Sequence, residues 1–227
     1  MSARAVSCTQ FIKGVKIDHD GAQMLIVDSP GLEDTRGPEL DISNIYGIVK
    51  AAQACESIVP LILISRQGMG ERMTGLKRIS KDLANMFNNI DSNIGSLQFL
   101  FNKYIDRKKV LDPASDSYIY PAKSDEEVQE IKKALSTELN AAYDELKPHE
   151  KLDKGFERFY QALTKSAKPG KVKMIDPFDH ELRKDILDKL NEAGKISNPS
   201  ETFGMQISEK SREALKDQLN MHMHMIL

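Results

Sequence analysis

Apolar and polar positions along the chain follow two rhythms, one of period two and one near 3.6. From Phe11 to Ile17 apolar and polar residues alternate loosely, 18–21 supplies polar turn residues, and Met24 to Val27 is an apolar run. This pattern predicts a β-hairpin with Asp20-Gly21 as its tight turn. Between Glu39 and Ser57, Leu40, Ile45, Ile48, Val49, Ala52 and Cys55 fall on one helical face. Ile58 to Ser65 does not alternate and reads as a fully buried strand. Helical spacing returns from Glu71 to Phe87 through Leu76, Ile79, Leu83, Met86 and Phe87, and Leu97 to Phe101 is a further strand. Strand and helix alternate, which predicts a largely parallel sheet.

The second half is mostly helical. Val128, Ile131, Leu135 and Leu139 mark one amphipathic helix, and Leu152, Phe156, Phe159 and Leu163 mark another, with Lys147-Pro148-His149 between them. After the break at Lys168-Pro169-Gly170, Val172 to Ile175 is a short strand and Glu181 to Ala193 a helix through Leu182, Ile186 and Leu190. That late strand is favoured as the last of the sheet over the other candidate, Ser117 to Tyr120. Beyond Gly194, 195–200 reads as a linker, and Ser208 to Leu219 as a final helix with Ser208 at its N-cap.

Length and charge narrow the function classes. The 227 residues suffice for one sizeable core with an appended subdomain. A formal charge of −2 gives no electrostatic footprint for nucleic acid. The longest strongly apolar run, Ile58 to Ile64, falls far short of the roughly 20 residues that span a bilayer, and no signal peptide is visible. Cys8 and Cys55 are too few for a disulfide framework or a zinc site, so both are expected reduced, in the cytoplasm. At the other end, Met221-His222-Met223-His224-Met225 offers soft ligands for copper(I), weighed against a frayed helix end.

Candidate chemistry begins at Asp28. An Asp at the carboxyl end of an apolar strand in an α/β sheet is placed to hold a hydrated cation, and Gly31 lets a backbone N–H approach an anion. The run from Met24 to Thr35, with Asp28-Ser29-Pro30-Gly31 at its centre, resembles the D-x-P-G motif of the P-loop GTPases, nearest the branch of the septins and the immunity-associated AIG-type proteins. The resemblance implies that Asp28 binds Mg²⁺, that the Gly31 amide meets the terminal phosphate of GTP, and that Thr9, nineteen positions earlier, is the switch threonine on the same ion. Asn102-Lys103 followed by Asp106 resembles the base-reading N-K-x-D motif. The family's spacing puts the acid where this chain has Ile105, one position before Asp106, so only a modest preference for guanine is expected. Pro121-Ala122-Lys123 echoes another base-contacting motif of the small GTPases.

The fold implied is a three-layer, P-loop NTPase-like α/β sheet, mostly parallel and N-terminally truncated. Its first strand, phosphate loop and first helix are missing. Residues 1–193 would form a partial G domain with a helical insertion at about 125–165, and residues 194–227 a C-terminal helical extension. The loop G-x-x-x-x-G-K-[ST] is found neither ahead of Thr9 nor downstream, where 167–172 lacks the first glycine and the terminal hydroxyl; circular permutation is therefore not expected. Leu32 stands where Ras-like enzymes carry the water-orienting Gln, so no catalytic residue is assigned. The expected function is the distal portion of a GTP-binding domain, inactive alone, whose full-length parent hydrolyses nucleotide slowly or on dimerisation. Its expected partners are a guanine nucleotide and a homodimer or another protein. The competing expectation is a nucleotide-free pseudo-GTPase that serves as a protein-interaction module.

Overall fold

The structure, a computed structural model, describes residues 12–31, 38–69, 74–105, 107–115, 117–146, 154–168, 171–176 and 179–205. Thr9, Asp106, Cys8, the predicted helix 208–219 and the Met/His ending lie outside the described residues.

The first element is the predicted hairpin. Strand β1 (Lys13–His19) pairs antiparallel with β2 (Ala22–Asp28), in a register that runs from Lys13 opposite Asp28 to His19 opposite Ala22. Asp20 and Gly21 carry φ of 47° and 79°. Two left-handed residues in a two-residue loop match the right-handed twist of the flanking strands, and Asp and Gly tolerate that conformation well.

Helix α1 (Pro38–Gln53) leads to β3 (Leu61–Ser65), α2 (Thr74–Asn85) and β4 (Gln98–Asn102). β3 and β4 pair in parallel, from Leu61 opposite Gln98 to Ser65 opposite Asn102. On the other edge of β4, the Phe101 amide donates to the Lys173 carbonyl (2.9 Å) and the Ile175 amide donates to the Phe101 carbonyl (2.8 Å). Phe101 and Met174 thus form a parallel bridge, and 172–175 continues this sheet as the sequence favours. The other candidate belongs elsewhere: β6 (Ser117–Ile119) pairs antiparallel with β5 (Val110–Asp112) in a second, exposed hairpin. The chain is therefore mixed α/β with a parallel strand pair, and among the described residues its strands form three separate two-stranded sheets.

The core lies between this parallel pair and the helices α3 (Asp125–Leu146) and α4 (Lys154–Ser166). Phe99, Phe101, Leu76, Leu135, Leu139, Phe159, Tyr160 and Leu163 are all buried in it. Phe159 meets the Phe99 ring edge-on with centroids 5.5 Å apart, and Tyr143 stacks on Tyr160 at 5.4 Å. A reciprocal capping box starts α3: the Ser124 amide donates to Glu127 (2.9 Å) and the Glu127 amide to the Ser124 hydroxyl (3.2 Å). After α5 (His180–Glu192) and the short α6 (Pro199–Thr202), Phe203 packs its ring 4.7 Å from Phe87. No helix among the described residues is long and apolar enough to cross a membrane.

One close approach is fixed by glycine. After β3 a 3₁₀ turn, Gln67–Met69, brings the Gly68 carbonyl against the start of α2, where a Cβ on Gly75 would overlap that oxygen. Because the obstacle is backbone and not a flexible side chain, Gly75→Ala is expected to destabilise the fold by about 1–3 kcal/mol. Urea titration checks this; an unchanged midpoint would mean that the 3₁₀ turn moves freely.

Candidate functional site

Ligands in open α/β sheets bind outside the carboxyl ends of the parallel strands. Here those ends are Ser65 and Asn102, side by side in the register. The chain leaves both strands through defined hydrogen bonds. Ser65 Oγ accepts from the Gly68 amide (2.9 Å), and the Arg66 amide donates to the Asn102 carbonyl (3.1 Å). Asn102 Oδ1 accepts from the Lys103 amide at 2.8 Å, and Lys103, exposed, takes a left-handed φ of 60°. A lysine holds that conformation only where its surroundings impose it, since the left-handed region costs a residue with a Cβ about 1–2 kcal/mol.

The next residues turn inward. Tyr104 is buried, its ring centroid 5.9 Å from that of Phe101, and its hydroxyl donates to the Met69 sulfur. Burial, reinforced by the nearby Glu138 carboxylate, pushes that hydroxyl up to about 12, so it stays a neutral donor. Ile105 packs half-buried against the same core. Arg107 then reaches Asp176, at the end of the 172–176 segment, through Nε (2.7 Å) and Nη2 (2.5 Å), and its Nη1 donates to the Tyr120 carbonyl at 3.3 Å. This nearly buried pair ties the loop after β4 to the neighbouring segment and to the base of the β5–β6 hairpin.

Of the six residues singled out in the sequence, four are described. Asn102 and Lys103 are adjacent at the end of β4. Asp28 is the last residue of β2, exposed and opposite Lys13, and exposed Gly31 follows it with no atom within 4 Å of where a Cβ would stand. β2 has no backbone pairing with β3 or β4 among the described residues, so the two halves of the expected site belong to separate sheets. A concavity lined by Glu130, Lys133, Ala134, Thr137 and Glu138 lies on one face of α3 and includes none of the six.

Sequence reasoning missed Arg107 and Asp176. A signal for Asp176 was present: like Asp28, it is an acid at the end of a short apolar strand. It also missed a cluster of His19, Asp20 and Asp188 between the first hairpin and α5. Comparison with known protein families, with curated proteins and with solved structures finds no match to this chain.

Proposed function

We propose that the chain is the distal portion of a GTPase-type nucleotide-binding domain of the septin and AIG-type branch, built on a P-loop NTPase-like sheet without its first strand, phosphate loop and first helix. The observation that carries this reading is the parallel run of β3, β4 and 172–175 with Asn102-Lys103 turning out of its carboxyl end. Asp28 and Thr9 would hold Mg²⁺, Gly31 would offer its amide to the terminal phosphate, and Asn102, Lys103 and Asp106 would meet the guanine base. The cytoplasm is the proposed setting, in keeping with the free Cys55 thiol.

A phosphate loop supplies most of the amide contacts to a triphosphate, together with a lysine and one Mg²⁺ ligand. Isothermal calorimetry of this chain with Mg²⁺-GTP is therefore expected to give no saturable binding in the micromolar range. Once a phosphate-loop segment from a septin-like GTPase is fused ahead of it, Mg²⁺-dependent GTP binding should appear. In that fusion Asp28→Ala should weaken binding far more than Leu32→Ala, since only Asp28 is assigned to the ion. Equal effects of the two substitutions would remove Asp28 from the site.

One observation favours the second reading, a nucleotide-free interaction module. The β5–β6 hairpin leaves Val110, Leu111, Tyr118, Ile119 and Tyr120 between 42% and 61% exposed. Large apolar side chains exposed on both faces of one short hairpin, Val110 and Ile119 on one and Leu111 and Tyr118 on the other, are surface available to a partner. The same fusion discriminates: a folded fusion that ignores Mg²⁺-GTP leaves the interaction module as the better account.

A further inference from the structure

The turn of the first hairpin meets α5 through a cluster of metal-ligand type. His19 Nε2 lies 2.5 Å from Asp188 Oδ1 and 3.8 Å from Asp20 Oδ2, and the three ligand-capable atoms lie within 4.8 Å of one another. The imidazole is only 12% exposed, whereas Asp188 and Asp20 are 40% and 69% exposed. The nitrogen is thus held inside while the carboxylates keep one side of the cluster open to water. We propose that His19, Asp20 and Asp188 form a site for a divalent transition metal of the zinc type, stapling the β1–β2 turn to α5.

The donor set selects the ion. Imidazole with two carboxylates suits zinc and its neighbours, whereas magnesium and calcium prefer all-oxygen shells. With bonds of about 2.0–2.1 Å, tetrahedral ligand atoms stand about 3.3 Å apart. The His19–Asp188 contact therefore has to open by less than about 1 Å, while Asp20 has to close by about 0.5 Å on His19 and by at most about 1.5 Å on Asp188, with water in the fourth position. A neutral imidazole and two carboxylates balance the double charge of the ion. Asp185, one turn earlier on α5, is engaged by Lys189 and does not compete. A two-stranded hairpin alone is marginal in water, so an ion bridging its turn to α5 would hold the whole of β1 and β2 in place. The inference is independent of the nucleotide reading.

The test uses the full chain carrying His222→Ala and His224→Ala, to remove competing ligands near the C-terminus, after stripping with chelator. Calorimetry with Zn²⁺ and visible absorption with Co²⁺ near neutral pH are expected to show one tightly bound ion with a tetrahedral cobalt spectrum. His19→Ala should abolish the spectrum. Asp20→Asn, a change to a well-exposed side chain that leaves the fold intact, should weaken binding at least as much as loss of an outer-shell partner does, roughly 10–100-fold. Absence of binding, or affinity indifferent to both substitutions, would overturn the proposal and leave His19 and Asp188 as an ion pair only.

Discussion

Phe101→Ala is expected to lower the unfolding free energy by about 3–5 kcal/mol, the usual cost of truncating a buried phenylalanine. Phe101 is fully buried, opposite Ile64 on one side and bridged to Met174 on the other, with Tyr104 against its ring. Removing the ring empties the place where three parallel segments meet, and backbone on both sides limits how far the site can collapse. Against a typical total stability of about 5–15 kcal/mol, the loss would leave a marginal protein unfolded near room temperature. Leu63→Ala is the internal control, because Leu63 lies on β3 with 56% of its surface exposed and should cost well under half as much. Urea unfolding followed by far-ultraviolet circular dichroism measures both. Equal losses would mean that the packed face of the sheet had been misassigned.

The elements that periodicity or turn chemistry encodes were legible. Asp20-Gly21 specified its own hairpin because two left-handed residues suit few other sequences, and the unbroken apolar run of β4 marked a largely buried strand, whereas β3, expected fully buried over Ile58 to Ser65, spans only Leu61–Ser65 and turns Leu63 to solvent at 56% exposure. Helix α1 was read four residues too long, to Ser57 instead of Gln53. The reason is long-range: Ile58 and Ile196 exchange both backbone hydrogen bonds, at 3.1 and 2.9 Å, and draw the chain out of helical geometry. Ser117 to Tyr120 was read as a candidate strand of the main sheet, but its pairing with β5 in a hairpin was not, because strands of only three residues are too short for a period. Its signal was in the turn, where the Asp112 carboxylate accepts from the Ala114 amide and the Ser115 hydroxyl.

The candidate site was legible only where it is local. Asn102 and Lys103 stand out by their place after an apolar strand, and they are found at that strand's end. The two residues after Lys103 were not legible as core, yet Tyr104 and Ile105 both pack inward. No period or spacing announces that His19 will meet Asp188, 169 positions on, or that Arg107 will meet Asp176, 69 positions on. Such pairings follow from the packing of α5 and of the 172–176 segment, which a one-dimensional pattern does not contain.

Asp176→Ala is expected to cost about 3–5 kcal/mol, as large an effect as the loss of Phe101 and for a different reason. The side chains of Asp176 and Arg107 are 5% and 12% exposed, so removing the carboxylate takes a close opposite charge and two hydrogen bonds from a nearly buried guanidinium. Arg107→Ala should be comparably damaging, since it removes the same ion pair from the other side. The double variant is expected to be more stable than the sum of the single losses predicts, by about 1–3 kcal/mol, because each single change already removes the interaction between the two. Raising the salt concentration should change the coupling little, screening being weak for buried pairs. Denaturant titration of the four proteins at low and high salt gives all these quantities. Strict additivity would mean that the two residues act independently, and that the loop following Asn102-Lys103 is held to the sheet by packing alone.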